Sequence, residues 1–268
     1  FGIGDLGPSA HRFVDFLVTT GQGLWQMLPL GPTGYRDSPY QCTSSFAGNP
    51  LLISPELLVS AGWLAESDLQ PPDFPRDQVD FGAVAVWKTA LLRAAWEGFQ
   101  HQAHDGDRAD FAHFCVTHQG WLDDFALYSA LKVQQELQPW TAWPPALARR
   151  EPAALATWLA ANRDTFELQR FVQYCFFRQW SELRAYARAR GVRLIGDVPI
   201  FVAHDSSEVW SHPEWFELDQ DGQPTVIAGV PRLRRLLGDP GQRGHRHRRT
   251  LGRWPGDGPL PRPARGAR

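Results

Sequence analysis

The sequence has little cysteine, almost no lysine and no long apolar run. Cys42, Cys115 and Cys175 stand far apart and form no Cys-x-x-Cys or Cys/His pair. We therefore predict neither a disulfide framework nor a metal site, and we expect reduced thiols and a cytoplasmic location. There is no signal peptide and no stretch of 18 apolar residues. The sequence thus predicts neither a secreted protein nor one that spans a membrane.

The charge is distributed unevenly along the chain. The formal net charge of the 268 residues is only -2. Segment 231–268 carries 11 Arg against 2 Asp, a charge of +9, so the rest of the chain must carry −11 to give that total. Arg, Gly and Pro make up 24 of the 38 residues after Val230. This composition predicts a disordered tail over 232–268. The tail has no lysine, no helical pattern and only one aromatic residue, Trp254, so we expect no nucleic-acid recognition.

Hydrophobic patterning predicts an α/β protein. Residues 8–20 have helical spacing, with Ala10, Phe13, Phe16 and Leu17 on one predicted core face. Residues 24–30 (LWQMLPL) form a short apolar run typical of a parallel strand buried on both faces. Residues 31–49 are rich in Gly, Pro, Ser and Asp and are predicted to form a loop. Helical periodicity dominates 81–190, and 193–202 (RLIGDVPIFV) is predicted to be a second buried strand. So much helix between two strands indicates an inserted subdomain.

The predicted organisation has four segments. Residues 1–50 contain a helix, a strand and a candidate binding loop. Residues 51–190 form the mainly helical insertion. Residues 191–231 return to the sheet with the second strand and its following loop, and 232–268 form the tail.

The aromatic content is high, with 12 Trp and 16 Phe, which raises the possibility of stacking platforms. Most of these residues follow helical stripes, which favours core packing. We predict core packing for four tryptophans on the stripes: Trp87, Trp96, Trp121 and Trp180. Trp140 and Trp143 lie off the stripes, and their role stays open.

Polar groups cluster after each predicted strand. Asp37, Ser38 and Tyr40 offer an acceptor, a hydroxyl and an aromatic face, a combination that suits a polyhydroxylated ligand. The alternative is an ordinary loop with Tyr40 packed inward and Ser38 capping a turn. Asp197 lies in an apolar run, where a carboxylate must be paired or line a cavity. It is either an active-site acid or a buried structural acid held by backbone N–H groups or an arginine.

His204, Asp205 and Ser206 are adjacent, which argues against a catalytic triad, because neighbouring residues in a loop cannot form the extended relay. There is also no Gly-x-Ser-x-Gly elbow. We expect Asp205 or Ser206 to cap a short helix that carries Glu208 and Trp210.

Several long, collinear segments resemble 4-α-glucanotransferases of the amylomaltase type, glycoside hydrolase family 77. They are FGIGDLGPSAHRFVDFL, LWQMLPLGPTGYRDSPYQ, SSFAGNPLLISPELL, PWTAWPP and LIGDVPIFVAHDSSEVWSHPEWFELDQDGQPTVIAGVP. The resemblance runs from Phe1 to about Pro231.

The resemblance implies a partial (β/α)8 TIM barrel, in which LWQMLPL is the second strand, RLIGDVPIFV the third and the helical region an insertion. It implies transfer of α-1,4-glucan segments between maltooligosaccharides by a retaining two-carboxylate mechanism, without metal or organic cofactor. Asp37, Ser38 and Tyr40 match the family's DSPY loop along the glucan groove. Asp197 matches the aspartate at the end of the third strand.

The family's R-I-D-H, A-E-D-L-G and T-H-D-N blocks, which carry its nucleophile, acid/base and stabilising carboxylate, are absent from this sequence. The resemblance therefore implies a fragment that is inactive as an enzyme, with a glucan-binding fragment as the alternative. Nucleic-acid interaction is a third hypothesis, which comes from the basic charge of the tail and which the tail's composition disfavours. An Arg/Gly/Pro tail in a GC-rich gene predicts a lost reading frame near Pro231. Two barrel strands alone would have open edges and unburied faces.

Overall fold

The computed structural model of the chain describes residues 1–226. The predicted tail and the last residues of segment 191–231 lie outside this range. The described residues form nine α-helices and two strands: α1 (Pro8–Thr19), β1 (Leu24–Gln26), α2 (Pro55–Ser60), α3 (Phe81–Gln102), α4 (Asp105–Thr117), α5 (Gln119–Gln134), α6 (Pro145–Ala148), α7 (Pro152–Ala161), α8 (Arg163–Ala189), β2 (Arg193–Ile195) and α9 (Ser207–Ser211). The fold is a mostly helical α/β arrangement with a small parallel sheet.

Helix α1 confirms the first predicted helix, but the residues that it turns toward the core differ from those predicted. Pro8 lies in the first turn, where its missing N–H costs nothing. Val14 and Leu17 are buried, whereas Phe13 and Phe16, which were expected on the core face with Leu17, are 41% and 56% exposed. The reason is that α1 packs against α8 through the stripe that contains Val14 and Leu17.

Strands β1 and β2 pair in parallel, with Trp25 opposite Leu194. The prediction of longer strands buried on both faces is wrong, because each strand has three residues and one open face. Trp25 and Leu194 pack against the core, whereas Leu24 and Ile195 are 49% and 43% exposed. Helices cover one face of the sheet, and in residues 1–226 no third strand joins it.

The long helix α8 organises the main core. It packs against α1, α3, α4 and α5, and its buried residues include Phe171, Cys175 and Leu183. The predicted core packing of the four stripe tryptophans is confirmed: Trp96 is buried, and Trp87, Trp121 and Trp180 pack against the core. Trp140 and Trp143, left open by the sequence, are buried in a second cluster with Tyr128 and Trp210.

Two buried glutamines of α8 hold the chain that follows β1. The side-chain amide of Gln173 accepts from the N–H of Gly48 (2.7 Å) and donates to its C=O (3.0 Å). Gln179 makes the same pair of bonds with the backbone of Ser54, at 2.7 and 3.0 Å. These amides satisfy loop backbone groups that are buried away from water. They fix residues 48–54 on the helix.

Within residues 1–226, no helix has both the length and the apolar character that crossing a bilayer requires.

Candidate functional site

The loops that follow β1 and β2 lie side by side. Cys42 forms an isolated parallel bridge with Val202. The N–H of Ala203 donates to the C=O of Cys42 (3.0 Å), and the N–H of Ser207 donates to the C=O of Thr43 (2.9 Å). Because the strands are parallel, both loops leave the same edge of the sheet, which is where α/β proteins commonly bind ligands.

Tyr40 and Asp197 meet between these loops. The Tyr40 hydroxyl donates to Oδ2 of Asp197 at 2.8 Å, although 157 residues separate the two in sequence. The hydrogen bond to Asp197 raises the pKa of Tyr40 above its ordinary value. Tyr40 is 49% exposed, so it is not packed inward. The pair therefore presents an aromatic ring and a carboxylate to solvent.

The position of Asp197 in the apolar run had suggested a place inside a buried strand. In the structure it lies beyond the end of β2. Its partner is a phenol, and neither a backbone N–H nor an arginine bonds to it among the described contacts. It is half-buried. The cost of placing a carboxylate near an apolar run is thus reduced by a hydrogen bond and by contact with solvent.

Asp37 and Ser38 are arranged differently from Tyr40. Asp37 is exposed and has a left-handed backbone conformation, with φ of 55°. Oγ of Ser38 accepts from the N–H of Tyr40 at 3.3 Å, which is the predicted alternative of a serine capping a turn. In residues 1–226, no hydrogen bond links Asp37 or Ser38 to Asp197.

An aromatic cleft with a volume of about 210 Å³ adjoins Asp197. Phe46, Phe177, Trp180 and Asp197 are among the residues that line it. Sequence reasoning assigned Trp180 to the core and did not select Phe46 or Phe177. The combination of rings with an acceptor matches the two faces of a sugar, whose C–H groups stack and whose hydroxyls donate.

Glu208 and Ser44 support the wall of this cleft. The Ser44 hydroxyl donates to Oε1 of buried Glu208 at 2.6 Å, and the N–H of Ser45 donates to the same oxygen at 3.1 Å. Oγ of Ser44 also accepts from the N–H groups of Phe46 and Ala47, both at 3.2 Å. Burial raises the pKa of Glu208. Sequence reasoning missed Ser44 and the role of Glu208; the only available signal was an acid beside the apolar Val209 and Trp210.

The segment after Val202 has structural roles. Oδ1 of Asp205 accepts from the Tyr128 hydroxyl at 2.9 Å, and its Oδ2 accepts from Nζ of Lys132 at 2.5 Å. Nε2 of His204 lies 2.7 Å from the C=O of Gly222. Ser206 caps α9 by accepting from the N–H of Val209 at 3.4 Å. The bond to Ser206 confirms the prediction of a helix cap, and His204 and Asp205 have partners of their own.

The three thiols are buried and form no disulfide. Burial raises their pKa values, that of Cys115 to about 11, so they are poor nucleophiles at neutral pH. No group of three or more His, Cys, Asp or Glu side chains that could hold a metal ion occurs in the described part of the chain.

Comparisons with known proteins identify the family of this chain. The family model for 4-alpha-glucanotransferase matches residues 1–232. The 4-alpha-glucanotransferase of Thermus thermophilus is 48% identical over 231 residues, which cover 86% of this chain and 46% of that protein. For the Aquifex aeolicus 4-alpha-glucanotransferase, identity is 40% over 261 residues, covering 95% of this chain and 52% of the relative.

A solved structure is also similar. The amylomaltase from Streptococcus agalactiae in complex with acarbose superposes with a TM-score of 0.81 and 39% identity, over 86% of this chain and 46% of that one. This chain spans about half the length of the relatives it matches. The match to residue 232 confirms the predicted extent of the resemblance. The chain belongs to the 4-alpha-glucanotransferase family.

Proposed function

We propose that residues 1–226 contribute part of the glucan-binding groove of a 4-α-glucanotransferase, which transfers α-1,4-glucan segments between maltooligosaccharides by retaining double displacement. The 268-residue chain carries none of the R-I-D-H, A-E-D-L-G or T-H-D-N blocks. We therefore propose that it binds maltooligosaccharides without turning them over, as a catalytically inactive glucan-binding fragment. Asp37, Ser38, Tyr40 and Asp197 are the proposed binding residues.

In this proposal, β1 and β2 are the second and third strands of a (β/α)8 barrel. Segments 1–50 and 191–231 belong to the barrel, and 51–190 is an insertion. The short parallel sheet and the loops leaving one of its edges support this assignment, because barrel enzymes hold their ligands at the C-terminal ends of the strands.

The observation that carries the proposal is the hydrogen bond from the Tyr40 hydroxyl to Asp197 at 2.8 Å. It joins the two loops beside a cleft with aromatic walls. A carboxylate that already accepts one hydrogen bond has oxygen lone pairs left for a sugar hydroxyl. An exposed phenol ring offers a stacking face.

Calorimetric titration of maltotriose and maltoheptaose into the 268-residue chain tests this proposal. We expect binding that Tyr40→Phe and Asp197→Asn each weaken about fivefold, the equivalent of one hydrogen bond of about 1 kcal/mol. Tyr186→Phe is the matched control, because the Tyr186 hydroxyl donates to Asp15 in a similar exposed pair that is separate from the two loops. Absence of binding, or equal weakening by the control, refutes the binding site.

Glucose release from maltotriose tests the second part of the proposal. We expect none from the purified chain. Release above the level of a Tyr40→Phe, Asp197→Asn double variant refutes the claim that the chemistry is missing.

A further inference from the structure

A cavity with a volume of about 170 Å³ lies between α8 and the segment that contains α2. Residues within 57–63 line one side of it, and α8 lines the other side at positions 175, 178, 179 and 182. These four positions follow the i, i+3, i+4, i+7 spacing of one helix face. Phe177 and Trp180, which line the aromatic cleft, lie on nearly the opposite face, since an α-helix has about 3.6 residues per turn. The cavity is therefore separate from the cleft.

Trp63 brings a buried hydrogen-bond donor to this cavity. The residue is 2% exposed, and its Nε1 is buried with no hydrogen-bond partner in residues 1–226. Most buried polar atoms of native proteins have a partner, so an unpaired one calls for an explanation. An indole N–H can only donate. An acceptor atom on a molecule in the cavity would pair it.

Arg178 and Glu182 add charged groups on the α8 side. Their side chains are 33% and 52% exposed, which places them at the mouth, and Nε of Arg178 lies 3.5 Å from Oε1 of Glu182. Nη1 of Arg178 donates to Asp107 at 2.9 Å, and the guanidinium lies 4.9 Å from the centre of the Trp63 ring. The described bonds do not use Nη2 of Arg178 or Oε2 of Glu182, so a donor and an acceptor remain for a ligand. The charges of the two residues balance, which favours a neutral ligand.

The size and the lining of the cavity fit one sugar ring. A cavity of about 150 Å³ holds a benzene-sized ring, so this one admits a single six-membered ring and not a chain of them. Leu58 and Ala61 lie on the apolar side, which suits the C–H groups of a pyranose. Sugar hydroxyls both donate and accept, so they can pair with Trp63, Arg178 and Glu182. A plain hydrocarbon ring has no such groups, and a carboxylate ligand would be repelled by the Glu182 charge.

We propose that this cavity is a monosaccharide site, which binds a single neutral pyranose such as glucose. Nε1 of Trp63 donates to one hydroxyl of the sugar, and Oε2 of Glu182 accepts from another. The site uses neither Tyr40 nor Asp197, so it does not rest on the proposed function and can be present whether or not the cleft binds glucan.

Titration of glucose into the ¹⁵N-labelled 268-residue chain, followed by NMR of the indole N–H signals, tests the site. Trp63→Phe and Trp180→Phe each identify one indole signal by its loss. We expect the Trp63 signal to shift with a Kd of about 1–10 mM, which is the affinity expected for a ligand of about 12 non-hydrogen atoms. Tyr40→Phe should leave this Kd unchanged, because Tyr40 does not line the cavity.

A cavity-filling variant gives the second measurement. Ala61→Leu should weaken the Kd of glucose at the Trp63 signal by at least about tenfold, because the larger side chain takes volume that the sugar needs. Ala109→Leu is the matched control, since Ala109 is exposed on α4 and outside the cavity, and we expect no change in its Kd.

The titration of the unmodified chain decides the proposal even if a variant does not fold. A Trp63 signal that stays unmoved at 100-fold excess over the expected Kd range of about 1 mM overturns it. So does a shift at Trp180 with none at Trp63, because glucose then binds only in the cleft. Equal weakening by Ala61→Leu and Ala109→Leu, a response of Trp63 to phenol or benzoate but not to glucose, or tighter binding of maltotriose than of glucose at Trp63 also overturns it.

Discussion

Replacing Glu208 tests whether one buried acid holds the wall of the aromatic cleft. In Glu208→Ala, the Ser44 hydroxyl and the Ser45 N–H lose their shared acceptor. Each unsatisfied buried donor costs about 1–3 kcal/mol, and removing a buried charge returns part of this. We expect the free energy of unfolding to fall by about 2–4 kcal/mol.

Glu208→Gln is the matched control, because its amide oxygen can accept both hydrogen bonds. Its NH2 group takes the place of Oε2, which is buried without a hydrogen-bond partner, and the cost of that donor is offset in part by removal of the buried charge. We therefore expect its free energy of unfolding at neutral pH to fall less than that of the alanine variant. The assay is urea unfolding followed by circular dichroism, with comparison of midpoints at equal slope. If the alanine and glutamine variants unfold at the same midpoint, the hydrogen bonds do not have the assigned role.

The pH dependence adds an independent check. Burial raises the pKa of Glu208 in the folded chain above its ordinary value of 4.5. The unfolded chain therefore ionises this group first, and the stability it contributes is present below about pH 4.5 and is lost as pH rises through the folded pKa. Relative to the unmodified chain, Glu208→Gln should gain stability as pH rises from 4.5 to neutrality. If the difference in unfolding free energy between Glu208→Gln and the unmodified chain stays constant with pH, the pKa of Glu208 is not raised in the folded chain.

Three further predictions concern the backbone and the gene. Gln173→Leu should lower the free energy of unfolding by about 2–5 kcal/mol in urea titrations, because both backbone groups of Gly48 lose their partner; a loss below 1 kcal/mol contradicts this. Gly98→Ala should destabilise the chain by more than about 1 kcal/mol, since a Cβ there would lie 2.0 Å from the carbonyl oxygen of Trp63. Gly106→Ala is the control in thermal melts. It should be neutral or slightly stabilising, because no atom lies within 4 Å of where its Cβ would be. Reading the gene in the other two frames after codon 231 should reveal an R-I-D-H block, and its absence from both frames refutes the frameshift.

The local elements could be predicted because their signals lie in neighbouring residues. Pro8 and the apolar spacing after it indicate α1, and the aromatic stripes indicate the helices that include α8. The strands were overestimated for a physical reason. An apolar run such as RLIGDVPIFV is suited to a sheet covered on both faces, but its ladder forms only where a neighbouring strand is present. Here the continuous pairing ends at Ile195, and only an isolated bridge at Val202 follows.

The candidate site could be predicted only in part. Tyr40 and Asp197 were selected because polar residues follow each strand, and the tertiary structure brings them to 2.8 Å. Gln173, Ser44 and the role of Glu208 were not found. Each acts through a partner more than 100 residues away in sequence, at Gly48 or across the two loops. Periodicity within one segment contains no information about such a partner.

The sequence alone determined the helices, the family and the loops that carry the candidate site, because short-range spacing and long collinear segments are sufficient for these. Only the tertiary structure decided which polar groups meet, which aromatic rings line the cleft and which apolar residues remain exposed. Those outcomes depend on what packs against each surface. Phe13 and Ile200 are apolar in sequence, yet they are 41% and 81% exposed. The Phe13 ring contacts Trp25, but this contact leaves much of its surface open.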